Sequence, residues 1–157
     1  MIAGLASATP AMADTTTTIS LLSSPGYCIN VKNHDNVAGE NVWLWKCSSG
    51  EDLEWNVTAP DLNCTAITGI ANCFEFKDAQ NTSLCLGAPP GVGLPLVLVG
   101  CGGDRAMWYD NSTTTLLSGA YSTEVIAVQA PIENGAIVTA SSRPAPAGDW
   151  WNWSWSH

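Results

Sequence analysis

Short apolar runs alternate along the chain with turns rich in glycine, proline, asparagine and aspartate. The clearest example is the stretch from Cys28 to Trp55, CINVKNHDNVAGENVWLWKCSSGEDLEW. An apolar run begins at Cys28, a turn spans 33–41, and a Trp-Leu-Trp run precedes Cys47. Asparagine and glycine tolerate left-handed backbone conformations, so this turn allows the chain to reverse. The pattern predicts two antiparallel strands followed by a closing segment at Trp55.

The same order of parts occurs twice more along the chain. The second unit has an apolar run from Cys85, a Pro/Gly turn over Pro89–Pro95, a second apolar run before Cys101, and a closing Trp108. The third unit has no cysteines, and its parts are Val125–Val128, Glu133–Gly135, Ile137–Thr139 and Trp151–Trp153. None of these units can bury its apolar face alone. We therefore expect three-fold assembly into a closed barrel capped by hairpins.

Further strands are predicted outside these parts. Ile19–Leu22 predicts a strand ended by a turn at Ser24–Gly26, and Phe74–Phe76 alternates apolar and acidic residues as a half-buried strand does. A loop is expected between Cys64 and Cys73. Asp14–Thr18, DTTTT, is β-prone but has no apolar partner, which is typical of a flexible arm or of an edge strand.

The N-terminal residues 1–13, MIAGLASATPAMA, end in a small-x-small pattern. This is typical of the distal part of a secretory signal peptide, cleaved before Asp14. An ordinary disordered N-terminus is the alternative. The first interpretation predicts a secreted, extracellular protein.

Charge and composition narrow the function. Five Lys/Arg stand against fourteen Asp/Glu, and the net charge of −9 repels phosphate backbones and anionic lipid. Nucleic-acid binding is therefore not expected, whereas a basic partner remains compatible. No run of eighteen apolar residues occurs, so no membrane span is predicted.

The first unit resembles one subdomain of a ricin B-chain-like (R-type) lectin domain. That family has a Cys-Leu-Asp-Val opening, a Gln-Leu-Trp strand, a cysteine and a closing Gln-x-Trp. The corresponding residues here are Cys28-Ile29-Asn30-Val31, Trp43-Leu44-Trp45, Cys47 and Leu53-Glu54-Trp55. The resemblance implies an all-β, disulfide-linked β-trefoil over residues 14–157. Its three pseudo-repeats would lie at about 17–60, 61–110 and 111–157.

Six cysteines in a chain of this kind favour disulfides over metal ligands. No Cys-x-x-Cys pair occurs, and only His34 and His157 could add imidazole, so neither a metal nor another cofactor is predicted. The resemblance implies the disulfides Cys28–Cys47, Cys64–Cys73 and Cys85–Cys101.

The resemblance also implies a sugar pocket in the first unit. The family uses an aspartate of the opening, an aromatic residue two before the second cysteine, and a polar residue three before the closing tryptophan. These positions hold Asn30, Trp45 and Asp52 here, and Trp43 stands where the family often has glutamine. Sugar hydroxyls need paired donors and acceptors, and the apolar face of a pyranose stacks on an aromatic ring. Asn30 is a weaker acceptor than a carboxylate, which Asp52 could restore.

Alternatives to this pocket remain open at the sequence level. Trp55 is expected in the core, whereas Trp43 and Trp45 share one strand face that is either pocket or barrel. The corresponding positions of the other units do not suit a sugar site; they are Gly87, Val99 and Arg105 in the second unit, and Ala127 with Thr139 or Ala140 in the third.

The C-terminal segment DWWNWSWSH is rich in tryptophan. Trp151 and Trp153 are expected to close the third unit, which leaves Trp155 and Trp150 directed outward as protein-interaction residues. The alternative is a final strand that packs one face and covers the other against the N-terminus.

Catalysis has little support in the sequence. His34–Asp35 is typical of a solvated turn, and the acids Glu51, Asp52 and Glu54 have neither calcium-loop spacing nor a clear hydrolase geometry. We predict a non-catalytic, secreted lectin that binds carbohydrate. The alternative is a trefoil without sugar binding that serves as an adaptor in a secreted multiprotein assembly such as a toxin or lectin complex, with a secreted protein as its partner.

Overall fold

A computed structural model describes residues 14–48, 50, 53–58, 61–71, 73–110, 115–121, 124–142, 149–150 and 152–155. At residues 58, 62, 63, 117, 149 and 150 it describes the backbone alone. The predicted leader, residues 1–13, lies outside this set. The first strands are β1 (Thr15–Thr17), β2 (Ser20–Leu21), β3 (Ser24–Val31), β4 (Val42–Lys46) and β5 (Trp55–Thr58). After helix α1 (Leu62–Thr68) come β6 (Cys73–Asp78), β7 (Leu84–Gly87), β8 (Val97–Gly100) and β9 (Met107–Asp110). The last strands are β10 (Leu116–Ser118), β11 (Glu124–Gln129), β12 (Val138–Ser142), β13 (Asp149–Trp150) and β14 (Trp153–Ser154).

The strands pair into two antiparallel sheets. The four-stranded sheet has the order β14-β2-β3-β4, and the remaining strands form a ten-stranded sheet that begins at β1. Over the described residues these pairs do not close into one ring, so the prediction of a closed barrel is wrong at the level of strand pairing. In the ten-stranded sheet β1 pairs with β5 and stands at the end of the strand order. The DTTTT segment is therefore an edge strand.

Three-fold symmetry is visible in the buried tryptophans. The first unit comprises β2–β5, the second β6–β9 and the third β10–β14. Each unit places one indole in the core, at Trp55, Trp108 and Trp153, with exposed fractions of 0%, 1% and 0%. Each indole Nε1 donates to the carbonyl of the residue after the unit's opening position; the acceptors are Ile29 (3.3 Å), Leu86 (2.8 Å) and Ile126 (2.9 Å). The predicted closing tryptophans are thus the repeated core anchors.

The hairpins of the three units are joined to one another by backbone hydrogen bonds. Each hairpin donates to the next one around the pseudo-three-fold axis. The equivalent bonds run from Leu98 N–H to the Glu40 carbonyl (2.8 Å), from Ala140 N–H to that of Leu94 (3.0 Å), and from Leu44 N–H to that of Ala136 (2.8 Å). The residue before each acceptor is a glycine in the left-handed region, with φ of 89° at Gly39, 82° at Gly93 and 87° at Gly135. Other residues rarely adopt this conformation, which accounts for glycine at all three turns.

Two local elements differ from the sequence-based expectation. The predicted loop between Cys64 and Cys73 includes the greater part of α1, whose start is stabilised because the Asp61 carboxylate accepts a hydrogen bond from the Cys64 N–H at 3.1 Å. The predicted turn at Ser24–Gly26 belongs instead to β3, since Ser24 already pairs with Leu21.

The disulfide pairs Cys28–Cys47, Cys64–Cys73 and Cys85–Cys101 are all present, as the resemblance implied. The first and third of these close the hairpins β3–β4 and β7–β8. In the third unit Val125 stands at the position of the first cysteine, so this hairpin is held by the β11–β12 pairing and by packing, without a disulfide. Disulfides of this loop size contribute about 3 kcal/mol each in the chain-entropy model.

Glu75 of β6 gives the fold a testable pH dependence. Burial raises the pKa of its carboxyl above 4.5; the Asp61 carboxyl also raises it, while the Gly102 N–H, which donates to Oε1 at 2.6 Å, and the Lys77 ammonium oppose the rise. The folded protein therefore binds more protons than the unfolded chain. The stability this group supplies is complete below about pH 4.5 and is lost as pH rises through the folded-state pKa.

We accordingly expect Glu75→Gln to raise the free energy of unfolding at pH 7 relative to wild type, because the amide keeps an acceptor for Gly102 without a buried charge. The gain should disappear below pH 4.5. Urea denaturation of both proteins between pH 3.5 and pH 7 measures the difference. A gain that is independent of pH would contradict the assignment to ionisation.

Candidate functional site

The strand registers of the hairpins define three equivalent sites. In the first unit Asn30 pairs with Trp43 and Cys28 with Trp45. The corresponding pairs are Gly87 with Val97 and Cys85 with Val99 in the second unit, and Ala127 with Thr139 and Val125 with Ser141 in the third. Residues two apart on a strand face the same side, so the four paired residues of each unit lie on one surface.

The first-unit pocket is a cavity of about 390 Å³ lined by Asn30, Asn33, His34, Trp43 and Trp45. Three of the four residues predicted for sugar binding, Asn30, Trp43 and Trp45, thus lie together, on the pocket side of the sheet rather than in the barrel. The fourth, Asp52, lies outside the described residues.

An aromatic pair forms one wall of this pocket. The rings of Trp43 and Trp45 stack with centroids 5.1 Å apart and planes at 26°. Trp45 is 39% exposed and offers its ring to solvent. Asn30 is 4% exposed, and its Oδ1 accepts a hydrogen bond from the Trp43 Nε1 at 3.0 Å. The amide oxygen therefore fixes the indole of Trp43 within the wall.

The opposite rim comes from the 3-10 turn Lys32–His34, directly after β3. Asn33 and His34 have φ of 56° and 61°, a left-handed backbone that brings both side chains to the cavity. The Lys32 Nζ lies 5.9 Å from the centroid of the Trp43 ring. The sequence placed these residues in a solvated turn, and only their position after the opening strand could have indicated a role.

In the second unit the Val99 side chain packs over Gly87, the counterpart of Asn30. A Cβ built on Gly87 would lie 2.5 Å from Cγ2 of Val99, so glycine is required there. Arg105 turns its Nε toward the Ala88 carbonyl, to which it donates at 2.7 Å.

The third unit is aligned differently from the sequence-based prediction. Its counterpart of Trp45 is Ser141, whereas Thr139 corresponds to Trp43 and Ala140 is buried on the other face of the strand. The choice of Thr139 or Ala140 for the aromatic position was therefore wrong. A cavity of about 500 Å³ lies at the turn before β12, with Gln129, Glu133, Asn134, Ile137 and Thr139 among its lining residues. Among its described lining residues it has no aromatic side chain.

Known structures with the same architecture include carbohydrate-binding proteins. The β-trefoil lectin of Vibrio vulnificus hemolysin/cytolysin, solved with N-acetyl-D-lactosamine, is 17% identical at a TM-score of 0.66, covering 92% of this chain and 95% of that one. The C-half of the earthworm R-type lectin, solved with GalNAc, is 10% identical at a TM-score of 0.63, covering 90% and 97%. A mosquitocidal holotoxin is 11% identical at a TM-score of 0.70; the match covers 92% of this chain but only 17% of the toxin. No family model and no curated protein matches the sequence.

The fold is a β-trefoil. The implied resemblance to R-type lectins is confirmed at the level of fold, with three pseudo-repeats of which the first two contain the disulfides. Among the described residues of the trefoil, no helix is long and apolar enough to cross a membrane.

The close approach of Val99 to Gly87 in the second unit can be tested directly by mutation. Gly87→Ala should lower the free energy of unfolding by about 1–3 kcal/mol, because the new methyl group overlaps the Val99 side chain. Combining it with Val99→Ala should recover part of this loss, and urea denaturation of the two single variants and the double variant measures the coupling. Additive losses would show that Val99 is not the obstacle.

Of the C-terminal tryptophans, Trp153 packs in the core as predicted and Trp155 differs from the prediction. Trp153 is buried and pairs β14 with β2 at Leu21. The outward orientation predicted for Trp155 is wrong: it is half-buried, with its ring centroid 6.1 Å from that of Phe74 and 6.3 Å from that of Phe76. Packing against Phe74 and Phe76 of β6 removes the Trp155 ring from water. The side chain of Trp150 lies outside the described residues.

One group of potential metal ligands occurs in the described part of the trefoil, formed by Glu75, Cys85 and Cys101. The two sulfur atoms belong to one disulfide, so neither is a thiolate able to bind a metal. This arrangement offers a single carboxylate and does not constitute a metal site.

Proposed function

We propose that this chain is a secreted, non-catalytic lectin that binds a carbohydrate through the first-unit pocket. The single observation that carries the proposal is the stacked pair Trp43–Trp45 beside Asn30, Asn33 and His34 around one cavity. A pyranose needs an apolar face to stack on and several hydrogen-bonding groups at its edge. The pocket supplies both, and the lectin domains with the same fold supply the precedent.

The proposal includes a domain spanning residues 14–157 that is exported to an oxidising compartment. Three disulfides in the described residues support this location, because such bonds persist outside the reducing cytosol. A single shallow sugar site gives about millimolar affinity, or about −4 kcal/mol. We therefore expect useful binding strength to come from several copies acting together.

A second candidate function is an adaptor within a secreted assembly. It is favoured by exposed apolar side chains at the hairpin turns: Val92, Leu94 and Ile137 are 53%, 45% and 54% exposed. Where such side chains form a patch, the patch commonly marks a protein contact. The trefoil portion of the mosquitocidal holotoxin is a small part of a longer chain, which is compatible with such a role.

A glycan array and a pull-down, both with the tagged full chain, separate the two functions. We expect a defined set of glycans to retain the chain on the array, with retention competed by the free sugar. A blank array together with a stoichiometric protein partner would overturn the lectin proposal in favour of the adaptor. Val92→Asp, at an exposed apolar position outside the first-unit pocket, serves as the control for the pull-down, since only the adaptor function could depend on this side chain.

A further inference from the structure

The turn of the third hairpin contains a dipeptide with chemical reactivity of its own. Asn134–Gly135 is the only Asn-Gly pair in the sequence. In such a pair the main-chain nitrogen of glycine can attack the side-chain amide carbon of asparagine, because glycine has no Cβ to obstruct the approach. Asn134 is exposed and lines the open cavity at this turn, so water reaches its amide. The pair is therefore a candidate site of deamidation.

Two hydrogen bonds to β4 of the first unit restrain both reacting groups. The attacking nitrogen, that of Gly135, donates its N–H to the Leu44 carbonyl at 2.8 Å. The Asn134 Oδ1 accepts from the Lys46 N–H at 2.9 Å, which fixes the orientation of the side-chain amide. The reaction requires the nitrogen to lose its proton and the amide carbon to turn toward it. Both requirements oppose the bonds to β4.

The Gly135 bond has a counterpart in each of the other units, where the turn glycine donates to the next hairpin at 2.8 Å (Gly39) and 2.6 Å (Gly93). The residues before these glycines are Ala38 and Val92, whose side chains cannot deamidate. The turn therefore does not require asparagine. Of the three hairpins, only the third combines the shared main-chain bond with a reactive amide.

We propose that Asn134 is a deamidation site restrained by β4, and that its isoaspartate product detaches the third hairpin from β4. The deprotonated Gly135 nitrogen forms a bond to Asn134 Cγ, and the amide nitrogen takes up a proton and leaves as ammonia. Water then opens the resulting succinimide. Opening at Cγ gives aspartate, whereas opening at the main-chain carbonyl gives isoaspartate. No oxidant or reductant is needed, and the inference is independent of ligand binding.

The two products differ in their effect on the contact with β4. Aspartate keeps an oxygen that accepts from the Lys46 N–H, and it keeps the normal spacing to Gly135. Isoaspartate carries the main chain through its Cβ and Cγ, which adds one carbon between the two bonded positions. The bonds to Lys46 and Leu44 then no longer fit together, and the hairpin stays in its opened arrangement.

The first test compares the reaction in the folded and the unfolded chain. The full chain is incubated at neutral pH with and without guanidinium chloride. Peptide mapping by mass spectrometry, with enzymatic labelling of isoaspartate, measures conversion at Asn134. We expect the folded chain to react at least about ten-fold more slowly, because only the locally opened fraction reacts. No conversion in the unfolded chain would overturn the site, and equal rates would overturn its restraint by the fold.

Lys46→Pro tests the restraint from β4 directly. Proline has no N–H and so removes the donor to Asn134, whereas Lys46→Ala removes the same side chain and keeps this donor. We expect Lys46→Pro to speed deamidation of the folded chain about two- to ten-fold, the equivalent of one net hydrogen bond, and Lys46→Ala to leave it unchanged. Gly87→Ala, in the second unit, controls for a general loss of stability. Equal acceleration by Lys46→Pro and either control would overturn the proposal.

Hydrogen exchange of the wild-type chain provides a measurement that needs no variant. The opening that frees the Gly135 N–H for exchange is the one that permits deamidation. Both rates should therefore rise in parallel at low concentrations of guanidinium chloride. Deamidation that accelerates while exchange of the Gly135 amide stays constant would overturn the coupling to β4.

A comparison of the two products tests the detachment of the hairpin. The isoaspartate form, separated by chromatography, and the Asn134→Asp variant are unfolded in urea. We expect the unfolding equilibrium constant of the isoaspartate form to be about ten-fold higher, since it loses two hydrogen bonds that Asn134→Asp keeps. Equal stability of the two proteins would show that the contact with β4 survives and would overturn the detachment.

Discussion

Replacing Trp45 with alanine should remove detectable carbohydrate binding while the trefoil remains folded. The Trp45 ring is 39% exposed at the pocket and stacks on Trp43, so it is the largest apolar surface available to a sugar. Truncating an aromatic residue at the centre of a binding site typically costs about 2 kcal/mol or more, or about thirty-fold in affinity. From a millimolar starting point this loss puts binding beyond measurement.

Two controls make the Trp45 result specific. Ile137 lies on the neighbouring hairpin, where its backbone bridges to that of Trp43, and its side chain is exposed to a similar extent. Ile137→Ala should leave sugar binding nearly unchanged. Trp45→Phe should retain part of the affinity, because a smaller ring still stacks. Glycan-array retention and isothermal titration provide the readout. A Trp45→Ala protein that binds as wild type does would place the sugar site elsewhere.

The largest effect on stability is expected for Trp153→Ala, at about 3–5 kcal/mol of unfolding free energy. Trp153 is fully buried, its Nε1 donates to the Ile126 carbonyl at 2.9 Å, and its strand β14 pairs with β2. Trp153→Phe keeps much of the packing but leaves that carbonyl without its donor, so it should cost about 1–3 kcal/mol. Urea denaturation monitored by circular dichroism measures both variants.

Comparison within the trefoil sharpens the Trp153 prediction. Trp108 has the same burial and the same kind of hydrogen bond, but its unit also contains the Cys85–Cys101 disulfide. Trp153 anchors the unit whose hairpin has no disulfide. A Trp153→Ala protein with a loss below about 1 kcal/mol, in the range of surface substitutions, would contradict its role as a core anchor.

The fold was predictable because its repeated features are local in sequence. Trp55 and Trp108 stand at similar distances after their opening cysteines, and each cysteine pair closes one hairpin. The third unit lacks that landmark, so its register could not be fixed, and Thr139 or Ala140 was chosen where Ser141 belongs. Strand pairing between distant segments, such as β1 with β5, leaves no periodic signal in either segment.

The candidate site was only partly predictable for a similar reason. Asn30, Trp43 and Trp45 lie on two paired strands, where alternation determines which side chains share a face. Asn33 and His34 reach the pocket through a left-handed backbone at non-glycine residues, which residue type does not announce. Trp155 was misplaced because its packing depends on Phe74 and Phe76, about eighty residues away in sequence.

The backbone bonds that link the three hairpins have a consequence for how the protein can be divided. Each unit satisfies main-chain groups of its neighbours, so a fragment containing one unit would expose unpaired N–H and C=O groups on both sides. A single unit is thus one third of a cooperative whole, and most of the stabilising pairings form only after distant parts of the chain meet. Folding should therefore be slow and all-or-none, with the final strand β14 closing against β2 near the other end of the chain.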